Sequence, residues 1–363
     1  MKVLYDYQAF LMQNYGGVSR YFGGLIEGLK ATPNFHYSLR VIGGRNYHLS
    51  DLDRVRGNLF FRDKYRKSPH KATRINQKKT LKVINDGNFD VFHPTYYNGY
   101  FLKSLKKPLV ITVHDMTYEK YPVFFNPNDS TPYDKRKLLE KADKIIAISQ
   151  TTKNDILYYN DIEEDKIEVI YHGIDLKEEL SYHRLAEVPE SFILYVGSRF
   201  GYKNFVLFVE AFAQLSAHTP DLHLVIVGAD LGIAEQELLF RLKVLDKTKV
   251  VAASDSELNF LYKEALFFVY PSLYEGFGLP ILEAFRVGCP VLLSKASCFP
   301  EVAGDSACYF DANSIESLVD NMQVLLESEA LRKEMAIRGK EKVREYDLKV
   351  CIDKTFRLYS DLV

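Results

Sequence analysis

Tyr270-Pro271-Ser272-Leu273-Tyr274-Glu275-Gly276-Phe277-Gly278-Leu279-Pro280-Ile281-Leu282-Glu283-Ala284 joins a strand end, a glycine loop and a helix start in one short segment. It begins where the apolar run Phe267 to Tyr270 ends, a run with the length and composition of a buried strand. It closes in a helix starting near Pro280, where proline is tolerated because a first-turn N–H has no partner within the helix. Gly276 and Gly278 between them let the backbone approach a ligand closely. The free amides of Gly278, Leu279 and the first helical turn, with the positive end of the helix dipole, make an anion site. Glu275 in the loop and Glu283 one turn into the helix bracket it. Carboxylates beside an anion site read as acceptors for ligand hydroxyls, and a nucleotide sugar supplies both a diphosphate and hydroxyls on each side.

The same strand–loop–helix order recurs outward from this stretch. Short β-branched or aromatic runs at Val3-Tyr5, Asp90-Phe92, Leu109-Val113, Ile145-Ile148 and Ile167-Ile170 predict one set of buried parallel strands. A second set is predicted at Phe192-Val196, Leu222-Val227, Val250-Val251, Phe267-Tyr270 and Pro290-Leu293. Helical spacing separates them, as in Val18, Phe22, Leu25, Ile26 and Leu29. Strands alternating with helices argue for an α/β protein with doubly wound, Rossmann-like sheets, and two sets argue for two such domains. A length of 363 residues fits the same count. The mixed-charge stretch from Lys177 to Pro189, without a strand pattern, is the expected boundary, which gives domains of 1–180 and 181–346.

Two further loops carry chemistry. Arg199 and Lys203 follow the first strand of the second set, and two cations at the carboxyl end of a strand suit a diphosphate. Gly16 and Gly17 precede the first helix and make another amide-rich terminus. His114 and Asp115 end the strong strand at Val113, where a doubly wound sheet opens toward a ligand.

Glu275 and Glu283 match the E-x7-E pattern of retaining GT-B glycosyltransferases, and the chain resembles glycosyltransferase family 4 over nearly its whole length. The G-G-x-x-R-Y form at Gly16 to Tyr21 is similar to the mannosyltransferase-type subgroup that builds polysaccharide O-chains. The resemblance implies a GT-B protein, two Rossmann-like domains facing across a cleft, with acceptor held by the first, donor by the second, and the 347–363 helix returning to the first. It implies that Glu275 contacts the transferred sugar and Glu283 the ribose. Arg199 and Lys203 would hold the departing diphosphate, as a metal-independent enzyme requires. Gly16, Gly17, Gly276, Phe277, Gly278 and Leu279 would complete the donor site. His114 would touch the donor sugar and support the transition state; Asp115, Tyr96 and Tyr97 are taken as acceptor contacts. At Val169-Ile170-Tyr171-His172-Gly173 the family usually has Pro-Asn where this chain has Tyr171-His172, and His172 is read as interdomain structure. The implied reaction is hexosyl transfer, mannosyl first, from a nucleotide sugar to a saccharide or lipid-linked saccharide. GDP-mannose stands ahead of UDP-sugars as the donor, and no cofactor is expected. A GT-B epimerase or phosphorylase, and a silent nucleotide-sugar-binding subunit, are the alternatives.

Composition sets the remaining bounds. A hydrophobic fraction of 47% with 26% charged residues is that of a folded globular chain. The net charge of −1 argues against a nucleic-acid partner, but it is an average. From Arg62 to Lys82 the segment carries +8, leaving −9 for the rest. Such a patch suits anionic lipid headgroups or a lipid diphosphate. No run of 18 apolar residues occurs, and Asp6 and Gln8 interrupt any signal-like stretch at the N-terminus. With four cysteines and no C-x-x-C pair, a cytoplasmic protein, peripheral on the inner membrane face, is expected. Asp51-Leu52-Asp53 formally reads D-x-D but lacks the strand context of a metal–nucleotide site, and no metal is assigned.

Overall fold

Every strand pair among the described residues of the computed structural model (1–12, 14–44, 46–49, 68–186 and 188–363) is parallel. Two units result. One comprises Met1–His172 with Leu348–Val363, the other Gly173–Asp347.

In the first unit, β1 (Lys2–Tyr5) lies between β2 (His36–Ser38) and β3 (Val91–His93), and β5 (Lys144–Ala147) lies between β4 (Val110–Val113) and β6 (Ile167–Val169). A parallel bridge from Phe92 to Leu109 joins the two halves. Both faces are covered, which is why the strands read as unbroken apolar runs rather than alternating ones. Val3, Tyr5, Val91 and Val110 pack toward the helix Gly17–Ala31, while Leu4, Phe92, Ile111 and Ile145 pack on the opposite face.

The last helix, Leu348–Ser360, lies along Gly17–Ala31. The approach requires glycine at position 28: a Cβ there would come within 2.7 Å of Ile352 Cγ2. At its end, Tyr359 shares a hydrogen bond with Tyr5 (3.0 Å) and reaches Nδ1 of His93 at 2.6 Å.

In the second unit, β7 (Phe192–Val196), β8 (His223–Val227), β9 (Thr248–Val251), β10 (Phe267–Tyr270), β11 (Val291–Ser294) and β12 (Cys308–Phe310) make one sheet in the order β12-β11-β10-β7-β8-β9. The order reverses between β7 and β10. Chain leaving these neighbours turns to opposite faces and opens a crevice at their carboxyl ends, where ligands bind in such sheets.

Two features depart from the sequence expectation. β2 and β12 carry no signal, since each is only a three-residue edge strand: β2 is polar and partly exposed, and β12 buries only Phe310. The division falls at 172/173 rather than 180/181, and at 347/348 rather than 346/347. The Ile174 amide donates to the Tyr346 carbonyl at 3.0 Å, and Ile174 pairs with Asp347, so the chain joins the second unit before its composition changes.

Candidate active site

The loops after β7 and β10 bring together residues 72 positions apart. Lys203 Nζ donates to Glu275 Oε1 at 2.6 Å, and the Ser272 hydroxyl donates to the same oxygen at 2.7 Å. The two charged side chains are only 14% and 13% exposed, so their attraction is weakly screened. The Tyr270 hydroxyl also bonds the Glu275 carboxyl, and burial with that negative neighbour pushes the phenol well above its usual range. Tyr270 and Tyr202 rings flank the Lys203 ammonium at 5.9 and 5.0 Å.

Arg199 does not join this pair. Its Nε and Nη2 donate to both carboxylate oxygens of Glu235 at 2.7 and 3.0 Å, and Nη2 also reaches the Asp230 carbonyl. The guanidinium, chiefly by these bonds, holds the Glu235 carboxyl below its ordinary range. This grip leaves Nη1 outside the bidentate pair. Glu235, in the helix Ile233–Arg241, escaped the sequence reading because it lies 36 residues from Arg199.

Gly278 stands at the N-cap of the helix Leu279–Val287 with φ 97°, and a Cβ there would press on Ile281 and Phe299. Glycine is therefore required both by the backbone and by space. The helix brings Glu283 to the half-buried surface, where Tyr262 donates to its Oε2 at 3.4 Å. Gly276 is buried; Phe277 is buried with its ring against Tyr346, so its share in any ligand contact falls to its backbone.

In the first unit, His114 follows β4 and is 8% exposed. Its Nε2 is buried without a hydrogen-bond partner. Burial pushes its pKa down to about 3, so the ring is neutral at pH 7. A buried polar atom without a partner is uncommon in folded proteins. The ring is walled by Tyr21 (5.4 Å) and stacked on His172 (5.6 Å). Tyr21 lies one turn beyond Gly16 and Gly17, which open the helix Gly17–Ala31, and its hydroxyl meets Thr112 Oγ1 at 3.1 Å. His172, read from the sequence as interdomain structure, is thus a buried neighbour of His114.

The expected acceptor contacts divide. Tyr97 is buried, and its hydroxyl accepts the His114 amide at 3.0 Å. Tyr96 is half-buried. Asp115 Oδ1 accepts the Thr117 amide at 2.9 Å, and its carbonyl accepts the buried Lys135 ammonium. Asp51, Asp53 and the basic residues from Arg62 to Lys67 lie outside the described residues. The rest of the basic segment forms the helix Pro69–Asp86. Ala72, Asn76, Thr80 and Ile84 are its buried stripe, and Lys71, Arg74, Lys78, Lys79 and Lys82 are exposed.

Comparisons with known proteins bear on the family and the fold. Residues 177–342 match the family model described as glycosyl transferases group 1, and residues 15–178 match the one described as glycosyltransferase family 4. The chain is similar to O-antigen chain mannosyltransferase B of Escherichia coli, 26% identical over 309 residues, which are 79% of this chain and 78% of that protein. Among solved structures it is similar to sucrose-phosphate synthase from Thermosynechococcus elongatus, with TM-score 0.77 and 22% identity over 99% of this chain and 98% of that one. It is also similar to Anabaena Alr3699/HepE in complex with UDP and glucose, with TM-score 0.74 and 16% identity over 99% of each chain. These structural likenesses carry the fold, GT-B.

Proposed function

The chain belongs to the glycosyltransferases, a family 4 half followed by a group 1 half, and from that premise we propose that it moves a hexosyl group, mannosyl first, from a nucleoside diphosphate sugar to a saccharide hydroxyl with retention of configuration. The observation that carries this reading is the Lys203–Glu275 pair at the strand-order reversal, beside the N-terminus of Leu279–Val287. Cation, carboxylate and helix terminus together match a ligand with both phosphate and hydroxyls.

Lys203 and Arg199 take the charge that builds on the diphosphate as the C1–O bond breaks. Glu275 meets hydroxyls of the transferred sugar, Glu283 the ribose hydroxyls, and Gly276, Gly278 and Leu279 bring backbone to the phosphates. The acceptor oxygen forms the new C1–O bond on the face the diphosphate leaves, and its proton passes to an oxygen of that leaving phosphate. His114, neutral and with an unused Nε2, is assigned to a sugar hydroxyl. The cations take the part a metal ion would otherwise play.

The O-antigen chain mannosyltransferase relative supports a mannosyl donor, and GDP-mannose is the donor that the family resemblance places first. The structural neighbour solved with UDP and glucose supports a UDP-sugar as the second reading. The acceptor is a growing saccharide, free or lipid-linked. The exposed cations of Pro69–Asp86 support peripheral attachment to an anionic membrane face, where a lipid-linked acceptor would lie. No helix among the described residues is long and apolar enough to cross a membrane.

The deciding experiment incubates the purified chain with a panel of nucleotide sugars, with and without saccharide acceptors, and analyses products by mass and anomeric configuration. A retained glycosidic linkage from GDP-mannose is expected. Isomerised nucleotide sugar formed without acceptor would replace this reading with an epimerase, and absence of any donor turnover would remove it.

A further inference from the structure

Ser297 has φ 53°, in the left-handed region that L-residues avoid and glycine enters freely. It sits in the turn between β11 and the short helix Phe299–Ala303. The neighbouring backbone is already tied: the Lys295 amide donates to the Phe310 carbonyl, and the Ala296 amide to the Ser294 carbonyl, both at 2.8 Å. Glycine would satisfy this conformation without strain, yet the chain carries a serine.

The hydroxyl supplies a reason. Ser297 Oγ donates to the Glu275 carbonyl at 2.6 Å and accepts the Glu275 amide at 3.2 Å. One hydroxyl thus closes on both main-chain polar groups of a single residue 22 positions earlier. The adjacent Cys298 Sγ lies 3.2 Å from the carbonyls of both Glu275 and Phe277. Burial keeps this thiol protonated and so able to donate. The carboxylate of Glu275 is gripped separately by Lys203 and Ser272. Glu275 is therefore held at both ends, and the strained serine holds the backbone end. Strain that persists in a native structure is supported by its surroundings, and here those surroundings belong to the candidate active site.

We propose that Ser297 is a positioning residue for glycosyl transfer, fixing the Glu275 backbone so that its carboxylate faces both Lys203 and the transferred sugar. The role rests on the function proposed above and acts only through Glu275.

The test uses the full chain with three substitutions. Ser297→Gly removes the strain and the hydroxyl, Ser297→Ala removes the hydroxyl alone, and Ser297→Thr keeps the hydroxyl. Ser297→Gly is expected to melt within a few degrees of the parent and to bind nucleoside diphosphate within about twofold. Its kcat should fall about tenfold to a hundredfold with little change in donor KM, since small misplacements of a reacting constellation cost on that order. Ser297→Ala should lose similar turnover; Ser297→Thr keeps the hydroxyl but adds the strain of a β branch at positive φ, so it should retain more turnover than Ser297→Ala at a lower melting temperature. An active parent with an equally active Ser297→Gly overturns this role alone. Parallel losses of melting temperature, nucleotide affinity and turnover in Ser297→Gly also overturn it, because they describe a general structural part. A parent inactive with every donor overturns the functional reading and this role with it.

Discussion

Lys203 Nζ lies 2.6 Å from Glu275 Oε1, a charge pair made by the two loops that flank the reversal of strand order. In the proposed reaction this contact joins the cation assigned to the diphosphate and the carboxylate assigned to the sugar hydroxyls. Each charge is the other's main partner, so either substitution disturbs both functions, though unequally. Glu275→Gln should lower kcat by about a hundredfold or more while the Kd for nucleoside diphosphate shifts little; Lys203→Ala should raise that Kd and lower kcat. Steady-state kinetics with calorimetric nucleotide binding reads the split, and full turnover in Glu275→Gln would refute the assignment.

Arg199 is aimed by Glu235 through a bidentate grip. If this grip braces the guanidinium for a phosphate, Glu235→Gln should raise donor KM about fivefold to tenfold, the worth of a weakened charge-assisted bond. A fall in donor KM would mean that the carboxylate instead competes with the diphosphate, and bracing would be wrong.

Positive side chains, not a metal ion, carry the leaving-group charge in the proposed reaction. Transfer should therefore survive EDTA with its rate within about twofold, a prediction that follows from electrostatic stabilisation by fixed cations. Loss of transfer on chelation, restored by added divalent cation, would contradict it.

Acid should destabilise the fold through buried histidines. Burial holds His93 and His114 at about 3, and His172 is also lowered. The unfolded chain binds protons on these groups below about pH 6.5 while the folded chain does not. Stability is thus full above that pH and is lost as pH falls toward 3, at up to about 1.4 kcal/mol per pH unit for each histidine. Melting temperature against pH should be shallower on its acid limb in His114→Gln than in the parent; identical slopes would refute the account.

Lys71, Arg74, Lys78, Lys79 and Lys82 are all exposed on one helix whose buried stripe lies elsewhere. Replacing the five with Gln should leave the melting temperature nearly unchanged. Binding to phosphatidylglycerol-containing vesicles should drop more than tenfold, at about 1 kcal/mol per cation near such a surface. Co-sedimentation measures this, and undiminished binding would remove the membrane reading for this helix.

Much of this is legible in the amino-acid sequence. The strand at Phe267–Tyr270, the glycine loop and the helix after it announced themselves because each signal is local: an apolar run, a glycine pair, a proline in a first turn. Tyr97 shows the limit. It is taken from the sequence as an acceptor contact, and only packing reveals that its hydroxyl accepts the His114 amide. Arg199 and Lys203, four residues apart, read as one pair of cations; the structure gives each a different carboxylate.

Spacing along the chain encodes the alternation of strands and helices, two sets of buried parallel strands, and the helix terminus at Gly278. Packing in three dimensions is what makes Glu275 meet Lys203, Glu235 grip Arg199, and Ser297 close on Glu275. These contacts join residues 72, 36 and 22 positions apart, and they exist because parallel strands bring distant loops to one sheet edge. The left-handed turn at Ser297 is of the same kind: nothing local favours it, and the contacts around it hold it in place.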